Sequence, residues 1–303
     1  MKTERGFALV LVLWAMILLT VIGISFGFAV RVETGAGTLL ADQVRAEAAA
    51  TAGIRRAVLA LLASERDQRW HSDGREYEIP WPNANLRVTM RAENGKIDLN
   101  YAPRQLLAGL FENLLPDADA DALADAVIDW RDRDDRRSAQ GAEAFEYRAA
   151  GRWGPANARF TSVAELSQVL GFDAVAVSTV TPYLTVFARR PRIDPVAAEA
   201  TVLAAIPGIS ATLAEQFVAE RAAALAADAE PDLRLLTPGS RYLDRRSAGN
   251  VASIRAEARL EGGASAVIEA VINLRSRGQA YEVLDWRQPL PDAAADGDAE
   301  PTE

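Results

Sequence analysis

The sequence predicts an α+β fold: a long amino-terminal helix, an antiparallel sheet, and a large all-helical insertion dividing the strands of that sheet. Three observations predict it. From Phe7 to Val30 there is no Asp, Glu, Lys, Arg, His, Asn or Gln, and the helix-forming stretch after it runs to Arg66 without Pro. Strand-like alternation of apolar and polar residues occurs in two separate places, near residues 75–100 and 250–288. Between them, from Pro103 to about Asp228, the apolar spacing is helical.

The apolar run comes first. At about 1.5 Å per residue, Phe7 to Val30 is long enough to cross a bilayer core of about 30 Å. Lys2 and Arg5 precede it, which favours a cytoplasmic amino terminus. Two other readings stand beside a specialised membrane helix: a plain anchor, and a cleavable signal peptide with Gly27-Phe28-Ala29 as its small-residue exit. The helix then continues as an amphipathic one to about residue 65. Val44, Ala48, Thr51, Ile54, Val58, Leu61 and Leu62 give the expected apolar stripe.

The strands follow. "REYEIPW" and "NLRVTMRAENGKIDLN" alternate, as do "NVASIRAEARL" and "SAVIEAVINLR" on either side of Gly262-Gly263, a hairpin signal; "AYEVLDWRQ" adds one more strand. In the helical part, Pro103 and Pro116-Asp117 mark helix starts, and Ser162 with Glu165 has the spacing of a capping box. From Pro291 onward the chain is acidic and poor in apolar residues, which predicts a disordered tail.

Composition narrows the function. The chain has 303 residues, 50% hydrophobic and 25% charged, with a formal net charge of −9. A general nucleic-acid binder needs the opposite sign. There is no Cys, which excludes disulfides, Cys-based metal sites and Cys nucleophiles. The one His, His71, lies in the polar stretch "ERDQRWHSDGRE", so a Ser-His-Asp triad has little to build on. No catalytic residue is assigned, and the chain is expected not to be an enzyme; a membrane-anchored hydrolase finds no site.

The leader is specific. "MKTERG" followed by "FALVLVLW" resembles a type IV prepilin leader. That resemblance implies cleavage by a prepilin peptidase between Gly6 and Phe7, methylation of the new amine, and a pilin-like unit built on the long helix. Most pilins carry Glu at the fifth position after the cut; here it is Leu11. Its absence, with the blocks "GKIDLNYAPRQLLAGL", "LADAVIDWRDRDD", "GAEAFEY", "FTSVAELSQVLGF", "PYLTV", "VLAAIPGIS" and "YEVLDWRQ" in this order, is similar to the minor pseudopilin K family of type II secretion systems (general secretion pathway protein K). The resemblance implies a subunit capping the tip of the pseudopilus and supporting protein export across the outer membrane. It would be held in the bacterial inner membrane by a single span, with its carboxy-terminal domain in the periplasm. The implied partners are minor pseudopilins I and J, the prepilin peptidase and other type II secretion components, with no nucleic acid. The expected division is leader 1–6, transmembrane helix 7–30, pilin-like parts 31–100 and 237–290, helical insertion 101–236 and tail 291–303.

Two motifs remain. "LAAIPGIS", with Ala214 and Val218, resembles a helix-hairpin-helix, the basis of an alternative reading as a single-pass periplasmic DNA-binding protein. Glu199, Glu215, Glu220 and Asp228 surround it against only Arg221, a charge balance that repels phosphate. The other motif is "DWRDRDDRR". Counted from Asp132, Asp134 falls at position 3 and Glu143 at position 12 of an EF-hand-like loop, while Arg136 and Arg137 replace the residues expected at 5 and 6. The family resemblance implies calcium here, with Asp132, Asp134 and Glu143 as ligands and Asp135 as a weaker candidate. Ala144 stands where the family carries a further Asp. The competing reading is a metal-free surface in which Arg131, Arg133, Arg136 and Arg137 neutralise the carboxylates.

Overall fold

The computed structural model describes residues 4–65, 69–227, 229–244, 249–275 and 278–290, without the side chains of 4–10 and 26–37. The predicted tail and Asp228 lie outside the described residues.

Helix α1 runs unbroken from Glu4 to Leu62, 59 residues, or roughly 90 Å at the usual rise. No Pro interrupts it, and Ala, Leu, Glu and Arg dominate its second half. From Leu11 to Ser25 it is exposed at every position. Among the described residues no helix is long and apolar enough to cross a membrane; the span expected over 7–30 lies partly outside them.

The second half of α1 packs on an antiparallel sheet. Strands β1 (Asp73–Trp81) and β2 (Ala84–Ala92) precede the helical region, and β5 (Val251–Leu260), β6 (Ser265–Asn273) and β7 (Glu282–Arg287) follow it. Their spatial order is β1-β2-β5-β6-β7, so β2 pairs with a strand more than 150 residues later, Val88 opposite Ala256. Inward positions alternate: Leu86, Val88 and Met90 on β2, Ile254 and Ala256 on β5, Ile268 and Ile272 on β6. The outward face carries cross-strand ion pairs, Arg87–Glu257 at 3.3 Å and Arg255–Glu269 at 2.6 Å.

The buried stripe of α1 differs from the expected one. Ile54, Val58 and Leu61 face the sheet, but Val44 is 57% exposed and Ala48 and Leu62 also face outward. The contact is made by Ala46, Ala49, Ala50, Gly53 and Ala57. Small residues let the helix backbone approach the strands. A Cβ on Gly53 would meet Ala256 Cβ and Leu86 Cδ1 at 3.1 Å.

A second core forms between β2 and β5 in the sequence. Strand β3 (Ile97–Asp98) leads into α2 (Arg104–Leu114), α3 (Ala120–Arg131), α4 (Ala144–Ala149) and α5 (Ala174–Val180); β4 (Leu184–Thr185), α6 (Ala200–Ala204) and α7 (Ala211–Ala226) follow. Leu106, Leu110, Phe111, Val127, Trp130, Tyr147, Leu203 and Phe217 lie at its centre. The region is not all-helical: β3 and β4 pair in parallel, Ile97 opposite Leu184. Helix α3 starts at an Asp119 cap rather than at Pro116-Asp117, because the Asp119 carboxylate accepts the Ala122 N–H at 3.0 Å. The predicted capping box of Ser162 and Glu165 is present.

The two cores meet at a polar joint. Glu93, almost fully buried, accepts from Lys96 Nζ at 2.7 Å and from the Thr185 hydroxyl. Asn94 Nδ2 donates to Asp194 Oδ2 at 3.1 Å, and Arg91 pairs with Glu199 at 2.5 Å.

Candidate functional site: the acidic loop between α3 and α4

The acidic loop is built on α3. Leu123, Val127 and Trp130 hold this helix in the core, and the same face carries Asp125 and Asp129, one turn apart and both buried. Burial pushes Asp125 up, but Arg104 Nε and the Gln140 N–H, which donates at 3.0 Å, outweigh it and hold the carboxyl below its ordinary range. Asp129 accepts the Ser138 N–H at 3.1 Å and the Ser138 hydroxyl at 2.5 Å, yet burial leaves its carboxyl raised. Asp125 and Asp129 therefore fold residues 138–141 back against α3.

Glu143 closes the loop. It is 5% exposed, and neither of its carboxylate oxygens has a hydrogen-bond partner. Its own N–H donates to Glu146 Oε2 at 3.0 Å, fixing the start of α4. Burial, and then the charges of Asp129, Asp132, Asp135 and Asp134, push its carboxyl up to about 7. Asp132 is similar: half-buried, with Oδ1 buried and unpartnered, it is raised by burial and by Asp134 and Asp129.

The other two predicted ligands are exposed and have partners. Asp134 accepts the Arg136 N–H at 2.9 Å, which lowers its carboxyl, and pairs with the Arg136 guanidinium at 3.3 Å. Asp135 accepts from Asn157 Nδ2 at 3.2 Å. Arg137 pairs with Glu146 at 3.0 Å, and Arg131 donates to the carbonyls of Leu99 and Ala102. The ion-pair reading is thus realised at Asp134 and Glu146 but not at Glu143 or Asp132. Among the described residues no three His or acidic side chains are gathered closely enough to hold a metal ion, so the EF-hand-like spacing is not a formed EF-hand-like cage. The donor chemistry still fits a hard cation: buried carboxylate oxygens without donors, surrounded by like charge. Gly6 and Phe7, the predicted processing residues, belong to α1, but their side chains lie outside the described residues.

Sequence reasoning missed Asp125, Ser138 and Gly141. The available signal was the Asp125–Asp129 spacing on an apolar helix. The helix-hairpin-helix resemblance resolves into a packed pair. Gly208 turns the chain at φ +90 between α6 and α7, and Ser210 caps α7. Arg221 is buried and donates to the carbonyls of Pro195 and Ala198 at 2.7 and 2.6 Å, so its guanidinium serves the core.

Residues 85–189, which include β2, α2, α3 and the acidic loop, match the family described as type II secretion system (T2SS), protein K. That stretch is about a third of the 303-residue chain, and it is what this chain has in common with protein K. Its fold is similar to a chain in the crystal structure of the GspK-GspI-GspJ complex from the enterotoxigenic Escherichia coli type 2 secretion system. The TM-score is 0.56 and the identity 20%, over 86% of this chain and 99% of that one. No curated protein matches it.

Proposed function

We propose that this protein is a minor pseudopilin of the protein K type that caps the tip of the type II secretion pseudopilus and so supports export across the outer membrane. The carrying observation is the two-part character of α1: its second half is buried on the sheet, while Leu11 to Ile24 stays exposed, with Trp14 at 69% and Leu19 at 68%. An apolar surface of that extent requires lipid or other apolar helices around it. In this reading residues 7–30 are held in the inner membrane after a peptidase removes residues 1–6 at Gly6–Phe7 and the new amine is methylated. The rest faces the periplasm, with 31–100 and 237–290 as a pilin-like unit and 101–236 as the insertion. Leu11 supports a tip position, since it offers no carboxylate to a neighbouring subunit's amine in an apolar core, where an unpaired charge is costly. Minor pseudopilins I and J are the partners in this reading, as the composition of the similar GspK-GspI-GspJ complex suggests. Copurification from detergent extracts should recover a small complex of this protein with I and J. Its appearance as the repeating subunit of long filaments would contradict the proposal.

Calcium belongs to the same reading. Glu143 and Asp132 would hold it, joined by Asp134 and Asp135 if these exchange their present partners. The ion would supply positive charge to carboxylates that have no donor, and oxygen-only ligands favour a hard cation. Its role is structural: it ties the end of α3 to the start of α4.

A further inference from the structure

A cleft of about 470 Å³ lies where the segment after β4 meets one end of the sheet, far in sequence from the acidic loop. Arg189, Arg190 and Arg275 line it against Glu282, and Phe187 and Leu284 add apolar surface. Three guanidinium groups stand against Glu282 in the wall and Asp244 paired with Arg190, which leaves the site locally positive on a chain of net charge −9.

Arg189 is held there at a conformational cost. Its φ is +54; among the described residues the other non-glycine positions with positive φ are Asn83 and Asn157, a residue type that tolerates that region. The Arg189 N–H donates to Asp98 Oδ2 at 2.7 Å, and Asp98 is almost fully buried. A buried carboxylate thus fixes the turn that presents this arginine. Arg190 is paired with Asp244 at 2.8 Å. Among the described residues neither the Arg189 nor the Arg275 guanidinium has a hydrogen bond or an ion pair.

We propose that this cleft binds an acidic peptide segment of a partner protein. Arg189 and Arg275 take two of its carboxylates, and an apolar side chain sits against Phe187 and Leu284. Guanidinium groups match carboxylates in planar, two-bond geometry. The volume falls in the range of pockets that enclose a ligand of several residues or a small molecule. A lone inorganic anion would fill little of it and leave the apolar wall uncovered. Because β5, β6 and β7 of the sheet and the segment after β4 all line the cleft, a bound segment would bridge the sheet and the helical region.

The test uses the full chain in non-ionic detergent and a fluorescein-labelled Asp-Leu-Asp-Asp peptide, followed by anisotropy at low and moderate salt. Saturable, salt-sensitive binding is expected, with no binding of the Asn-Leu-Asn-Asn peptide. Arg189→Gln and Arg275→Gln should each weaken binding about tenfold or more, with unchanged melting because both side chains are exposed. Arg234→Gln, whose exposed partner is Asp232, should bind as the parent does. Absence of binding, or equal binding by the Arg189 and Arg275 variants, overturns the proposal. So does displacement by inorganic phosphate as effective as that by peptide, which would indicate a simple anion site. Markedly tighter binding by a chain lacking 291–303 would make that acidic segment the resident occupant and overturn the assignment to a partner protein.

Discussion

Gly141 lies so close to Asp129 that a Cβ on it would stand 2.0 Å from Asp129 Oδ2. Asp129 cannot retreat without giving up both Ser138 hydrogen bonds. Gly141→Ala should therefore open the loop and destabilise the fold by about 1–3 kcal/mol, the usual cost of overpacking. Urea unfolding checks this; a variant as stable as the parent would show that the loop does not depend on its closure over α3.

Glu143 predicts the pH dependence of the metal-free protein. Its carboxyl ionises near 4.5 when unfolded and near 7 when folded. Between those values the folded state holds the extra proton, so stability falls as pH rises through that window and levels off above it. The contribution is at most roughly 3 kcal/mol. Glu143→Gln should flatten that part of the profile, measured by urea titration in chelator from pH 4 to 8. An equal slope in parent and variant would mean that Glu143 does not carry it.

Calcium should reverse that penalty. Chelation should lower the melting temperature and added calcium restore it, by mass action worth about 2.7 kcal/mol at a hundredfold excess over the dissociation constant. Glu143→Gln should abolish the response. Asp134→Ala should reduce it less, because Asp134 already has Arg136, and Asp232→Ala should leave it intact. If calorimetry detects no calcium binding to the parent, the loop is a metal-free surface, with Ala144 as the reason.

The seat of α1 gives a further prediction. Gly53→Val would push methyl groups into Ala256, Leu86 and Val88, which already stand 3.1–3.2 Å from where a Cβ would be. It should destabilise the sheet unit by about 1–3 kcal/mol. Leu59→Ala, on the exposed side of the same helix, should change stability by less than about 0.5 kcal/mol. Equal effects would mean that α1 does not pack on the sheet by this face.

Much of this was legible in the sequence, for reasons that can be named. The strands announced themselves because one face is buried and the other carries pairs such as Arg87–Glu257, giving clean alternation. The stripe of α1 was misread where alanines do the packing. Ala46, Ala49 and Ala57 bury little surface each and give a weak periodic signal, whereas Val44 gives a strong one and points outward. At the acidic loop, counting positions found Asp132 and Glu143. It did not reveal that Arg136 occupies Asp134, or that Asp129 is bound by Ser138, because linear spacing does not say which carboxylate already has a donor.

The most direct test of the central claim is the intact mass of the protein extracted from membranes. The extracted chain should begin at Phe7 with one added methyl group, and a Gly6→Leu variant should remain full length and not support secretion. A parent chain that still carries residues 1–6 and no methyl group, or a Gly6→Leu chain processed normally, would contradict it.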